Sequence, residues 1–315
     1  MKSQPYNKNC PVIYDNDTVI DVFTDDYLMA LASAEEIQLK GIVTSSSIAP
    51  YNKYVPEVDF ESDFPPNPTR LNFVNNRAYG VKLARESGFR HIPDPIIGIK
   101  GHLEKPKSGQ IEDTRAIDSA GSKLIVTEAR KATPEIPLLV IMGGTLSVAA
   151  NAYLLDPLIV DRMVIAWLGG TINNMGDYNG GADWWAAYIV AQRLQLVLFP
   201  NGLAEPQVPR KKLYDLPNRP YRQWLIEKKH PMQPIIEQDG DSQPAISLIR
   251  PDYISEMKQC SFSHWGENNG MDVPSKSIPY LKNNQNGNII VITQADKTIG
   301  TNEWWRAISN PSAWH

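Results

Sequence analysis

Short apolar runs alternate with longer stretches of helical period along most of the chain. Val12, Ile13 and Tyr14 form an apolar strand, and Leu28, Met29, Leu31 and Ala32 form the buried face of the helix that follows. A second strand runs from Ile37 to Ser47 and ends in small hydroxyl residues. Residues 48–72 are rich in Pro, Asn and acids and predict a long loop, of the kind that in a compact domain serves function or moves. The pattern then predicts a helix over 73–90, a strand over Pro93–Ile99 and a polar loop over 100–116. Next come a helix over Ser119–Ala132, a strand over Ile136–Met142, a helix over 147–155 stopped at Asp156-Pro157, and a strand over Met163–Leu168. Further helices are predicted over 184–194, Tyr221–Lys228, Pro244–Ile249 and 302–308, and strands over 195–199, Gly270–Val273 and Ile289–Thr293. Alternation of this kind predicts an α/β fold: one domain over 1–315, with a mostly parallel, Rossmann-like central sheet and helices on both faces.

The junction between the first strand and the first helix concentrates acid. Asp15, Asp17, Asp21, Asp25 and Asp26 fall within twelve residues. Ligands in α/β folds collect outside the carboxyl ends of strands. A helix N-terminus accepts acids, but capping uses one or two. Five crowded carboxylates need a proton or a cation. Hard oxygen donors suit Ca²⁺, with Mg²⁺ the second choice.

Composition narrows the function classes. With 42% hydrophobic and 21% charged residues in 315, the chain should fold as a globule. A formal net charge of −4 argues against nucleic acid or an anionic membrane as the main partner, which leaves a small molecule. Cys10 and Cys260 have neither zinc-ligand nor redox spacing. No apolar run is long enough to span a membrane. The first ten residues lack an apolar signal core, so the cytoplasm is the default expectation; a leader removed beforehand would leave the same start, and export stays open.

Two more segments carry candidate chemistry. Gly143-Gly144-Thr145-Leu146-Ser147 turns from strand to helix without phosphate-loop or dinucleotide spacing. Thr171 to Trp185 is an Asn- and Gly-rich loop that offers Asn173, Asn174, Asp177, Asn179 and Asp183. A solvated turn would use the same residue types.

Taken in order, these segments resemble the inosine–uridine nucleoside hydrolase family. Its opening strand, Asp-x-Asp and Asp-Asp pair resemble Tyr14-Asp15-Asn16-Asp17 and Asp25-Asp26, with an insertion that leaves open whether Asp21 or the pair fills the usual places. Its second strand is similar to Gly41-Ile42-Val43-Thr44, its Gly-Pro-Leu-Thr-Asn to Gly144-Thr145-Leu146-Ser147-Val148, and its Leu-Asp-Pro to Leu155-Asp156-Pro157. Its Met-Gly-Gly is similar to Leu168-Gly169-Gly170, and its late helix to Gly240-Asp241-Ser242 through Arg250-Pro251. The resemblance covers nearly the whole chain.

That resemblance implies a calcium-dependent hydrolase that cleaves the N-glycosidic bond of a ribonucleoside or related glycoside. The implied metal ligands are Asp17, Asp21 or Asp26, the Ser147 carbonyl and Asp241. The implied base is Asp17, taking a proton from metal-bound water, and Asp25 would hold a ribose hydroxyl. A homo-oligomer is also expected. Three departures stand out: Gly240 replaces the family's histidine, Ser47 and Ile48 stand where an asparagine follows the second strand, and the ribose loop has no clear glutamate near Gly181. His264-Trp265 is the candidate replacement acid and base-stacking surface, with plain packing as the competing reading. The alternative function is a catalytically impaired sugar- or nucleoside-binding protein on the same fold. A haloacid-dehalogenase-like phosphatase also uses Asp-x-Asp after its first strand, but fits the late Gly-Asp helix poorly.

Overall fold

A computed structural model describes residues 4–17, 23–46, 74–227, 238–267 and 277–315. The expected loop over 48–72, the expected strand over Gly270–Val273, and Asp21, Ser47 and Ile48 lie outside the described residues.

The strands are β1 (Pro11–Asn16), β2 (Gln38–Ser46), β3 (Pro95–Lys100), β4 (Leu138–Met142), β5 (Met163–Leu168), β6 (Gln195–Phe199), β7 (Ile254–Glu267), β8 (Ser277–Asn283) and β9 (Ile289–Ala295). They form one sheet in the order β3-β2-β1-β4-β5-β6-β9-β7-β8. Neighbours from β3 through β6 to β9 pair in parallel, and β7 runs antiparallel to both β8 and β9.

Helices cover both faces: α1 (Thr24–Ser33), α2 (Val74–Glu86), α3 (Ala120–Ala129), α4 (Ser147–Leu155), α5 (Tyr178–Ala182), α6 (Trp184–Arg193), α7 (Pro220–Glu227), α8 (Ser242–Ile249) and α9 (Lys297–Ile308). Strand residues feed two cores in alternation. Val12, Tyr14, Leu139 and Ile141 pack into one; Ile13, Leu138, Val140 and Met142 pack into the other. Burial on both faces is why the central strands read as continuous apolar runs rather than alternating ones. Among the described residues no helix is long and apolar enough to cross a membrane.

Three elements differ from the sequence pattern. The hairpin β7–β8 escapes it because the strands are largely half-exposed and polar residues interrupt them, as in Ile254-Ser-Glu-Met-Lys-Gln. Pro279 inside β8 is a further counter-signal. Helix α5 has only five residues, two of them glycine, and starts where the Asp177 side chain accepts the Gly180 amide. Helix α9 begins five residues earlier than expected because Asp296 caps it, accepting the amides of Thr298 and Ile299.

The topology places the chemistry. Asp15 and Asn16 end β1 with Asp17 just after it, Thr44 and Ser45 lie near the end of β2, and Gly143-Gly144 follows β4. All lie at carboxyl ends of central strands, where α/β sheets bind ligands.

Candidate active site

The turn after β4 is the meeting point. Its first amide, on Gly143, donates to the Asp15 carbonyl at 2.9 Å and ties the end of β4 to the end of β1. A Cβ on Gly143 would lie 2.2 Å from Asp241 Oδ2, and one on Gly144 would lie 3.4 Å from the Asp17 Cγ. Glycine at 143 is therefore what admits the Asp241 carboxylate. Asp17 and Asp241, 224 positions apart in sequence, thus flank one turn, and both are buried. Asn16 links them further, since its Nδ2 donates to Asp241 Oδ2 at 2.7 Å and also contacts the Tyr14 hydroxyl. Burial drives the Tyr14 phenol well above its ordinary range, with Asp241 and Asp25 adding to the effect, so Tyr14 stays protonated.

The ribose-loop candidates divide. Asn179 belongs to the turn: its Nδ2 donates to the carbonyls of Gly143 at 3.1 Å and Leu168 at 3.2 Å. Asp183 also reaches it. Ser147 Oγ donates to Asp183 Oδ2 at 2.6 Å, and Ser147 Oγ shares a hydrogen bond with Thr145 at 2.8 Å. Asp183 caps α6 through the Ala186 amide and accepts the Leu103 amide. Burial raises its carboxyl pKa, against the opposing Ser147 hydrogen bond, two amides and the charge of His102. Asp177 is spent on capping α5 and on Asn201, with its carboxyl pushed up to about 6 by burial. Asn173 and Asn174 attach to the hairpin: the Asn173 carbonyl accepts the Leu281 amide, and Asn174 pairs with Tyr280.

His264 and Trp265 also sit on that hairpin. The imidazole stacks on Tyr280 with 5.2 Å between ring centres and is exposed. Trp265 packs against Trp184, Tyr188 and Phe262, which seats the hairpin on α6.

The remaining first-motif acids have partners of their own. Asp25 takes Nε and Nη2 of Arg77 at 2.9 and 2.6 Å. Asp26 accepts the hydroxyl of Tyr221, and burial keeps that phenol protonated. Asp15 is fully buried; its Oδ1 accepts Ser45 Oγ at 2.5 Å and its Oδ2 has no hydrogen bond. Burial raises its carboxyl to about 7, with Ser45 and Arg77 opposing and Asp17 adding.

Sequence reasoning passed over Arg77, Asn16 and His102. Arg77 lies inside a helical pattern that gave it no special signal. Asn16 was visible only as the middle of Asp-x-Asp. His102 follows Gly101, which has φ +100°, just past the end of β3. A histidine beyond a left-handed glycine at a strand end was the cue available there.

Calcium takes six to eight oxygens, typically several carboxylates among them. Here Asp17 and Asp241 come to one turn, while Asp25 and Asp26 are held by Arg77 and Tyr221. Among the described residues no group of three or more His, Cys, Asp or Glu is arranged to hold a metal ion. The described side chains therefore do not by themselves fit the implied calcium.

The strand order, the acid-lined turn after β4 and the late aspartate define a protein with the nucleoside hydrolase fold. Solved structures of that class match nearly end to end. An inosine-guanosine nucleoside hydrolase aligns with a TM-score of 0.62 at 14% identity, over 96% of this chain and 98% of its own. A purine-preferring ribonucleoside hydrolase from Gardnerella vaginalis aligns at 0.63 and 15%, over 96% and 99%. An inosine-uridine preferring nucleoside hydrolase from Bacillus anthracis aligns at 0.59 and 14%, over 95% and 99%. No protein-family model matches the chain, and no curated protein matches it. At these identities the likeness establishes the fold.

Proposed function

We propose that the protein hydrolyses an N-glycosidic bond of a ribonucleoside or a related glycoside. The observation that carries the reading is the convergence of Asp17 and Asp241 on the Gly143-Gly144 turn, at the carboxyl ends of β1 and β4. The solved neighbours supply the context: each is named as a nucleoside hydrolase.

The chemistry follows from the charges. Glycosidic cleavage builds positive charge at the anomeric carbon. Carboxylates held in a buried turn stabilise that charge without reorganising. In this reading Asp17 accepts a proton from water, the water oxygen bonds to the anomeric carbon, and the bonding pair leaves with the base. Asn179 holds the turn, and the Ser147–Asp183 pair fixes the start of α4 beside it. The charge of His102 acts on Asp183, and His102 is the candidate donor to the leaving base. The calcium implied by the sequence resemblance enters no step: of its implied ligands Asp26 accepts the Tyr221 hydroxyl, and among the described residues no group of three or more His, Cys, Asp or Glu is arranged to hold it.

A specific observation favours a second reading, a sugar-binding protein without turnover. Both oxygens of Asp25, the residue expected to hold a ribose hydroxyl, accept from Arg77. Incubation with inosine and with a nitrophenyl riboside, followed by assay for free ribose, separates the two. Release of ribose supports the hydrolase; binding of both compounds with no release supports the second reading.

A further inference from the structure

Helix α2 sends one cation to Asp25 and the ends of β1 and β2. Arg77 is 3% exposed, and each of its three nitrogens has a partner. Nε and Nη2 engage Asp25 side-on. Nη1 donates to the Val43 carbonyl at 2.6 Å, to Thr44 Oγ1 at 2.7 Å and to the Asn16 carbonyl at 3.4 Å. The guanidinium therefore joins the first turn of α1 to the carboxyl ends of β1 and β2, one residue from Asp17. Its charge also acts on Asp15 and Tyr14. Burial works against charge on Arg77, yet Asp25 together with Tyr14 and Asp15 outweighs that cost and the guanidinium stays protonated.

We propose that Arg77 is the resident cation of this site and stands in for a bound divalent ion. Crowded carboxylates need positive charge, and here a side chain supplies it covalently. A fixed guanidinium then repels a second cation arriving at the same acids. Arg77 is a positioning residue in this account: it sets Asp25 and the strand ends, and touches no reacting atom. The inference stands on the hydrogen-bonding geometry of Arg77 alone, whichever function the site serves.

Calorimetry with Ca²⁺ on chelator-treated protein tests it. Wild type should bind no tighter than about 1 mM, the weak end of protein calcium sites. Arg77→Met should bind roughly tenfold tighter or more, because it removes repulsion and leaves Asp25 available as a ligand. Arg77→Lys keeps the charge and should behave like wild type. Adding Asp25→Asn to Arg77→Met should abolish the gain. Micromolar binding by wild type overturns the proposal whether or not the variants fold, and so does an Arg77→Met protein that binds no better. Hydrolysis by a calcium-loaded wild type would sink this inference and leave the hydrolase reading standing; absence of both turnover and calcium binding would do the reverse.

Discussion

Arg77 and Asp25 meet side-on, with Nε and Nη2 each donating to a separate carboxylate oxygen at 2.9 and 2.6 Å. Neither side chain is much exposed, at 1% and 11%. Removing one partner from a buried pair leaves an uncompensated charge, which typically costs about 3–5 kcal/mol. Arg77→Met should therefore lose stability on that scale in urea, and Arg77→Lys should lose less. A loss under about 1 kcal/mol, the range of exposed pairs, would show that solvent already screens it.

Gly143 faces Asp241 so closely that a methyl group there collides with the carboxylate. Gly143→Ala should displace Asp241 from the turn. Misplacing a catalytic group by about 1 Å costs roughly 10²-fold in rate. The steady-state rate on a nitrophenyl riboside should fall on that order while far-ultraviolet circular dichroism stays the same. An undiminished rate would remove Asp241 from the active arrangement.

Much of this arrangement was legible in the sequence. The apolar runs located β1, β4, β5 and β6 because those strands are buried on both faces. Asp17 stood out because Asp-x-Asp follows a strand, and Asp241 was named through the resemblance of its late helix to the family's; the structure brings both to one turn. What the sequence withheld was which acid meets which partner. Nothing near Asp25 points to Arg77, 52 positions away, and nothing near Asp26 points to Tyr221, 195 away. Such pairings depend on tertiary closure and leave no local period. His264-Trp265 stood out as a polar–aromatic pair, yet its rings pack within the hairpin and against α6.

Stability should fall as pH rises through the weakly acidic range. Burial raises the Asp15 carboxyl from 3.8 to about 7 and that of Asp177 from 3.8 to about 6. Between those values the folded chain keeps protons that the unfolded chain has released, so the unfolded state gains as pH rises. For Asp15 the effect reaches about 4 kcal/mol by pH 7, at ~1.4 kcal/mol per pH unit. Urea midpoints from pH 4 to 8 should decline, and Asp15→Asn should flatten the decline. An Asp15→Asn profile parallel to that of wild type would contradict the assignment.

The charge of His102 acts on the Asp183 carboxyl, which accepts from Ser147. A purine leaves more easily once protonated, whereas a nitrophenolate needs little help. His102→Ala should therefore slow inosine cleavage by about 10²-fold, at the low end for loss of a general acid, and nitrophenyl riboside cleavage far less. Equal effects on both substrates would mean that His102 serves the fold or binding instead.

The central claim is that Asp17 deprotonates the attacking water. Asparagine keeps its volume and cannot take the proton. Nitrophenol release by wild type and by Asp17→Asn, measured side by side with their melting curves, tests this most directly. The account predicts a fall of about 10²–10⁴-fold with the melting curve preserved. Equal turnover by the two proteins would contradict it.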